Sequence, residues 1–233
     1  MRLAAIFCRP ASLPAPLRLG MLLLVLLAWL ACAAPDPQAL QRTLVARFGP
    51  ARVTLLQDWL QLLTQTRSLG GDEAKLKRVN DFVNHNIVFD SDINVWQQTD
   101  YWATPLETIG QGRGDCEDFA ILKYVSLRQA GVPVSRLRLI YVKARLQTPL
   151  GPQTQAHMVL AYYANPNADP LILDNLNPAI LSAARRSDLS PVFSFNSEGI
   201  YAGVSGRDKA ATGVGRLSRW AEVLQRIAAE GLD

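Results

Sequence analysis

Cysteine and histidine are scarce in this chain, with three Cys and two His in 233 residues. Cys8 and Cys32 lie in a segment with the form of a removable export signal: Arg2, Arg9 and Arg18, an apolar run from Leu19 through Leu30, then small residues to Ala34. A mature protein that begins after residue 34 keeps Cys116 alone, so an internal disulfide is excluded. Charge of one sign is lacking too. The 24 Lys+Arg stand against 20 Asp+Glu, and removal of the three leader arginines leaves 21 against 20. The high isoelectric point is therefore mostly a property of the leader, and no basic face remains to imply a nucleic-acid partner. The apolar run is short for a spanning helix and ends in small residues, which favours cleavage near Ala33 or Ala34 over a retained anchor. Trp29 and Leu30 make a poor lead-in for lipidation at Cys32. Repeats and low-complexity segments are absent. Residues 1–34 read as a removable signal peptide that exports the protein, and residues 35–233 as one domain long enough for a real core.

The first part of that domain has helical spacing. Leu40, Leu44, Val45 and Phe48 recur at three and four residues, Gly49-Pro50 interrupts, and Val53, Leu55, Leu56, Trp59, Leu60, Leu62 and Leu63 resume. A third helix is expected after Gly70-Gly71, with Asp72 as its N-cap and Leu76, Val79, Phe82, Val83 and Ile87 facing inward. Phe89 to Trp102 has neither period and reads as a long ordered loop. Thr104-Pro105-Leu106-Glu107 has the form of a capping box that opens a short helix. A helix from Cys116 to about Ala130 is apolar on nearly every side and belongs in the core. The period then changes to two: strands are expected at Leu137 to Val142, His157 to Tyr163 and Leu171 to Asp174, the last two joined by the Asn165-Pro166-Asn167 turn. An amphipathic helix, Leu217 to Ala229, closes the chain. Helices first and a sheet second predict an α+β fold.

An unpaired thiol in an oxidising compartment needs a reason, and a nucleophile is a natural one. Cys116 stands in the first turn of its helix, where the dipole favours a thiolate. Gly114 before it allows close backbone approach, and Asp115 is a candidate cap. A nucleophilic thiol also needs a base. His85 lies between Asn84 and Asn86 in a polar stretch that reads as solvated, whereas His157 opens an apolar strand. Asp174, at the end of the next strand, is a candidate orienting acceptor for His157, provided the strand pairing places them together. Against a thiolate stand Asp115, Glu117 and Asp118, whose like charge raises a thiol pKa. Acids favour helix starts in any case; alternatively, a hard cation such as calcium consumes their charge and orders the neighbouring acidic loop.

Gly114-Asp115-Cys116-Glu117-Asp118-Phe119-Ala120, His157-Met158-Val159-Leu160 and Leu173-Asp174-Asn175, together with Trp102-Ala103-Thr104-Pro105-Leu106-Glu107 upstream, resemble the bacterial transglutaminase-like cysteine proteinases of the LapG type. The resemblance implies a papain-like or transglutaminase-like fold, its nucleophile helix packed on an antiparallel sheet, with Cys116 as nucleophile, His157 as base and Asp174 as orienter. It implies a calcium requirement met by Asp115 and Glu117, with Asp92 and Asn94 as candidates for further ligands. It implies a periplasmic endopeptidase that cuts a large surface adhesin near its N-terminus, at adjacent small residues, and so releases cells from a biofilm. The partner implied is the periplasmic domain of an inner-membrane cyclic-di-GMP receptor that sequesters the protease. Two alternatives stay open on the residues: acyl transfer to a lysine by the same triad, as in a transglutaminase, and a non-catalytic calcium-dependent binding module.

Overall fold

The structure, a computed structural model, describes residues 35–202 and 214–233. The expected signal peptide, with Cys8 and Cys32, lies outside them. Among the described residues no helix is long and apolar enough to cross a membrane. Helix α1 (Pro37–Phe48) starts where Asp36 accepts from the Gln38 N–H and Pro37 takes a first-turn position whose amide would have no helical partner. Helices α2 (Val53–Arg67) and α3 (Asp72–Asn86) follow. They bury the stripes Leu56, Trp59, Leu62, Leu63 and Leu76, Val79, Val83 that their spacing predicts. Gly71, not Asp72, is the N-cap of α3. Asp72 instead accepts from Arg136 at 2.6 Å and from the Tyr162 hydroxyl at 2.7 Å, tying the helix start to the sheet.

The expected loop before Trp102 is more ordered than its lack of period suggests. A two-residue strand β1 (Val88–Phe89) leads into it, and it holds a short helix α4 (Asp92–Trp96). Helix α5 (Pro105–Gln111) opens on the complete Thr104/Glu107 capping box. Strand β2 (Arg113–Gly114) then pairs parallel with β1 and leads directly into α6 (Cys116–Gln129). Helix α6 is buried all round from Asp118 to Leu127. Trp59 of α2 donates to Ser126 Oγ on it at 2.8 Å, satisfying the one polar group of a fully buried indole.

Six antiparallel strands follow: β3 (Leu137–Thr148), β4 (Gly151–Tyr162), β5 (Leu171–Leu173), β6 (Leu181–Ser182), β7 (Leu189–Asn196) and β8 (Gly199–Ala202), in the order β6-β5-β4-β3-β7-β8. Leu137, Leu139, Met158, Leu160 and Tyr162 face the helices, while Ile140, Val142, Val159, Ala161 and Ile172 form a second, smaller core on the other face. The β3–β4 hairpin runs six residues beyond each predicted strand end. That extension carries polar residues such as Gln153 and Gln155, and its ladder of backbone hydrogen bonds needs no apolar alternation. The last helix, α7 (Val214–Ala229), is held by the buried Glu107, which accepts from Arg226 of α7 and from Arg47 of α1. Arg226 also donates to the Trp102 carbonyl at 2.5 Å, and this fixes the chain leading to the site.

Candidate active site

Three local devices place Cys116. Asp115 is the N-cap of α6, accepting from the Glu117 N–H, and Asp118 accepts in turn from the Asp115 N–H, which completes a capping box. Asp118 also accepts from the Ala103 N–H at 2.8 Å, so the helix start is tied to the segment before α5. Gly114 lies so close that a Cβ on it would meet the Asp118 carboxylate and stand 2.7 Å from the Asp118 Cβ. Asp118 is fully buried and cannot move aside. Gly114→Ala is therefore expected to cost about 1–3 kcal/mol and to lower activity at saturating substrate; an unchanged melting temperature would contradict this reading of the contact.

The Cys116 thiol donates to Glu117 Oε2 at 2.7 Å. Burial first, then the charges of Glu117 and Asp115, push the thiol pKa up, while a backbone hydrogen bond from Met158 works in the opposite direction. That last bond locates the thiol at β4. On β4, strand β5 pairs with Leu160, Ala161 and Tyr162, which among the described residues leaves that edge without a strand partner at His157 and Met158.

His157 Nε2 and Asp174 Oδ1 are 2.7 Å apart, and both side chains are buried. The Leu176 N–H reaches the same oxygen at 3.0 Å, and Asn84 of α3 donates to the Asp174 carbonyl at 2.8 Å. Burial alone would raise the Asp174 pKa, but the bond and charge of His157, then Arg186 and the Leu176 amide, bring it down to about 2. His85, neighbour to Asn84, is exposed. Arg186 and Lys123, which belong to none of the sequence motifs, also face Asp174. Arg186 donates to Asp174 Oδ2 at 2.7 Å. Lys123 is buried within α6 without a hydrogen-bond partner among the described residues, and burial lowers its pKa to about 7 against the field of Asp174. A charge between the apolar residues Phe119-Ala120-Ile121-Leu122 and Tyr124-Val125 is the visible signal for Lys123. Arg186, in a stretch of no period, carried none.

The acids form two groups that share Asp115. In one, Asp115, Cys116 and Glu117 offer ligand atoms within 4.8 Å of one another; in the other, Asp92, Asp115 and Asp118 do. Burial, followed by the neighbouring Glu117 charge, pushes Asp115 up to about 8, and burial raises Asp92 to about 6. Asp92 Oδ2 accepts from the Tyr101 N–H at 2.6 Å, while its buried Oδ1 has no partner among the described residues. These carboxylates fit a hard cation, because a cation removes the mutual repulsion and supplies the partner Oδ1 lacks. Asn94 directs its amide N–H to Asp90 instead.

Comparison with known proteins agrees with this architecture. The family profile described as bacterial transglutaminase-like cysteine proteinase matches residues 62–188. Legionella pneumophila LapG is 34% identical, with a TM-score of 0.66 over 83% of this chain and 99% of that one. Its calcium-bound form superposes with a TM-score of 0.67 over 82% of this chain and 99% of that one, again at 34% identity. The EGTA-treated form gives 0.68 over 83% of this chain and all of that one. The α+β fold is thus the transglutaminase-like fold of those structures. No curated protein matches by sequence.

Proposed function

The chain belongs to the bacterial transglutaminase-like cysteine proteinase family and is a LapG-type cysteine protease, and from that premise we propose that Cys116, His157 and Asp174 carry the reaction. The observation that supports this most is the buried 2.7 Å contact between His157 Nε2 and Asp174 Oδ1, one residue from the amide that reaches the Cys116 sulfur. With Nε2 turned to Asp174, Nδ1 is the ring nitrogen that exchanges protons. The thiol proton passes to Nδ1 as sulfur adds to the peptide carbonyl. The Cys116 N–H, which has no partner within its helix, faces the developing oxyanion. The tetrahedral adduct collapses, the C–N bond breaks, and Nδ1 returns the proton to the leaving amine. Water, deprotonated at Nδ1, then hydrolyses the thioester and regenerates the thiol.

Calcium is the cation proposed for the acidic groups, held by Asp115 and Glu117 with Asp92 as a further ligand; bound there, it supplies positive charge beside the nucleophile. The calcium-bound form of the Legionella relative supports that choice. Residues 1–34 are proposed to send the enzyme to the periplasm. There its proposed substrate is the N-terminal region of a large surface adhesin, and its proposed partner the periplasmic domain of a cyclic-di-GMP receptor. Incubating the purified protein with the N-terminal part of such an adhesin from the same organism tests this: cleavage that stops in chelator is expected, and an intact adhesin in the presence of calcium would overturn the substrate assignment. His85→Ala should leave activity within about twofold of wild type, because its ring is solvated. Complete loss there would mean that the wrong histidine has been assigned.

A further inference from the structure

We propose that Arg186 is a positioning residue of this site, holding Asp174 in the orientation that accepts from His157 Nε2 and so fixing the histidine tautomer in which Nδ1 is the base. The inference rests on the assignment of His157 as that base. It starts from how the two oxygens of Asp174 are used. Oδ1 serves His157 and the Leu176 N–H, while Oδ2 receives Arg186 Nη2 at 2.7 Å. The two side chains are 0% and 2% exposed.

The guanidinium is itself fixed from the other side. Its Nε lies 3.0 and 3.3 Å from the two oxygens of Asp188, and Nη2 lies 2.8 Å from Asp188 Oδ2. This fork is a geometry that a lysine ammonium does not reproduce. Asp188 is 43% exposed, so it anchors the plane without competing inside the site.

Other groups face Asp174 but leave its side chain free to turn. Asn84 of α3 binds only its carbonyl. Lys123 of α6 stands seven residues beyond Cys116, two helical turns along the same face, and reaches Asp174 by its field without a hydrogen bond. Without Arg186, Oδ2 would be buried with no donor, and the carboxyl would rotate or take up a proton. Overall stability is a poor reason for the ion pair. Replacing buried pairs with apolar residues is often neutral or stabilising, and Arg186 Nη1 is buried here without a partner among the described residues, a further cost. Orientation of the carboxylate is what the pair supplies.

The test is 15N-histidine NMR on the full chain, which has two histidines to resolve, together with steady-state kinetics. In wild type, the neutral His157 ring should carry its proton on Nε2. Arg186→Met should mix the two tautomers and lower kcat on the order of 10- to 100-fold, the range found when an orienting partner is lost, with KM changed by less than about twofold. Arg186→Lys should recover part of both, and Asp188→Asn, which loosens one side of the guanidinium, should fall between. A single Nε2–H tautomer and wild-type kcat in Arg186→Met, with only a lower melting temperature, would overturn the proposal. If that variant does not fold, an unchanged tautomer and kcat in both Arg186→Lys and Asp188→Asn would overturn it equally. Failure of the underlying assignment looks different, since full kcat in a His157→Ala variant with Arg186 intact would remove His157 as base whatever the tautomers do.

Discussion

Cys116→Ala is expected to abolish proteolysis while leaving the fold in place. Without the sulfur no thioester forms, and loss of a covalent nucleophile costs on the order of 10⁴- to 10⁶-fold in kcat. The substitution removes one atom from a half-buried first-turn position, where Ala is a good helix former, so stability should change by no more than about 1 kcal/mol. His157→Ala should abolish cleavage as well, since the two residues act as a unit and their losses do not add. The measurement is cleavage of the adhesin fragment by variants whose circular dichroism and melting match wild type. Wild-type rates in a folded Cys116→Ala protein would end the assignment of the nucleophile.

Removal of the cation should be nearly as severe. With no ion bound, the thiol proton is shared with Glu117 and the Cys116 pKa is held up by burial and by the neighbouring acids, so the ionised fraction at neutral pH is small. Chelation should therefore stop cleavage reversibly. Calcium should restore it better than magnesium, which resists exchanging its waters for an irregular set of carboxylates. Asp115→Asn and Glu117→Gln should lose both calcium affinity and activity, because neutral side chains relieve the repulsion without supplying the ion.

A second readout does not depend on turnover. Asp115 has a folded pKa near 8, above its ordinary value, so the cation-free fold binds this proton more tightly than the unfolded chain does. That contribution to stability is present at low pH and is lost as pH rises through about 8, because the unfolded carboxyl ionises freely near pH 4. Chelated protein should melt lower at pH 8 than at pH 5.5, and calcium should raise the melting temperature more at pH 8. Calorimetry showing no calcium binding, together with full activity in excess chelator, would return the acids to a purely structural role at the helix start.

Where a signal is local, the sequence by itself determined the outcome. The Thr104/Glu107 box, the start of α6 at Cys116 and the buried stripes of α2 and α3 depend on residues three or four apart, and such neighbours interact before any tertiary contact forms. The change from helical to alternating period after Gly131 likewise sufficed for α+β. Tertiary structure decided which groups meet. Asp72 reads as a cap, yet Arg136 and Tyr162, far along the chain, draw it into an ion pair and leave the cap to Gly71. His157 and Asp174 come together only through the register that sets Leu160 opposite Leu173. Arg186 and Asp92 come from segments without a period, and long-range packing brings them beside Asp174 and Asp115. Burial gives their charges weight, and burial belongs to the assembled fold: the same carboxylate is an ordinary acid in an exposed loop and a high-pKa group once the helices and sheet have excluded water from it.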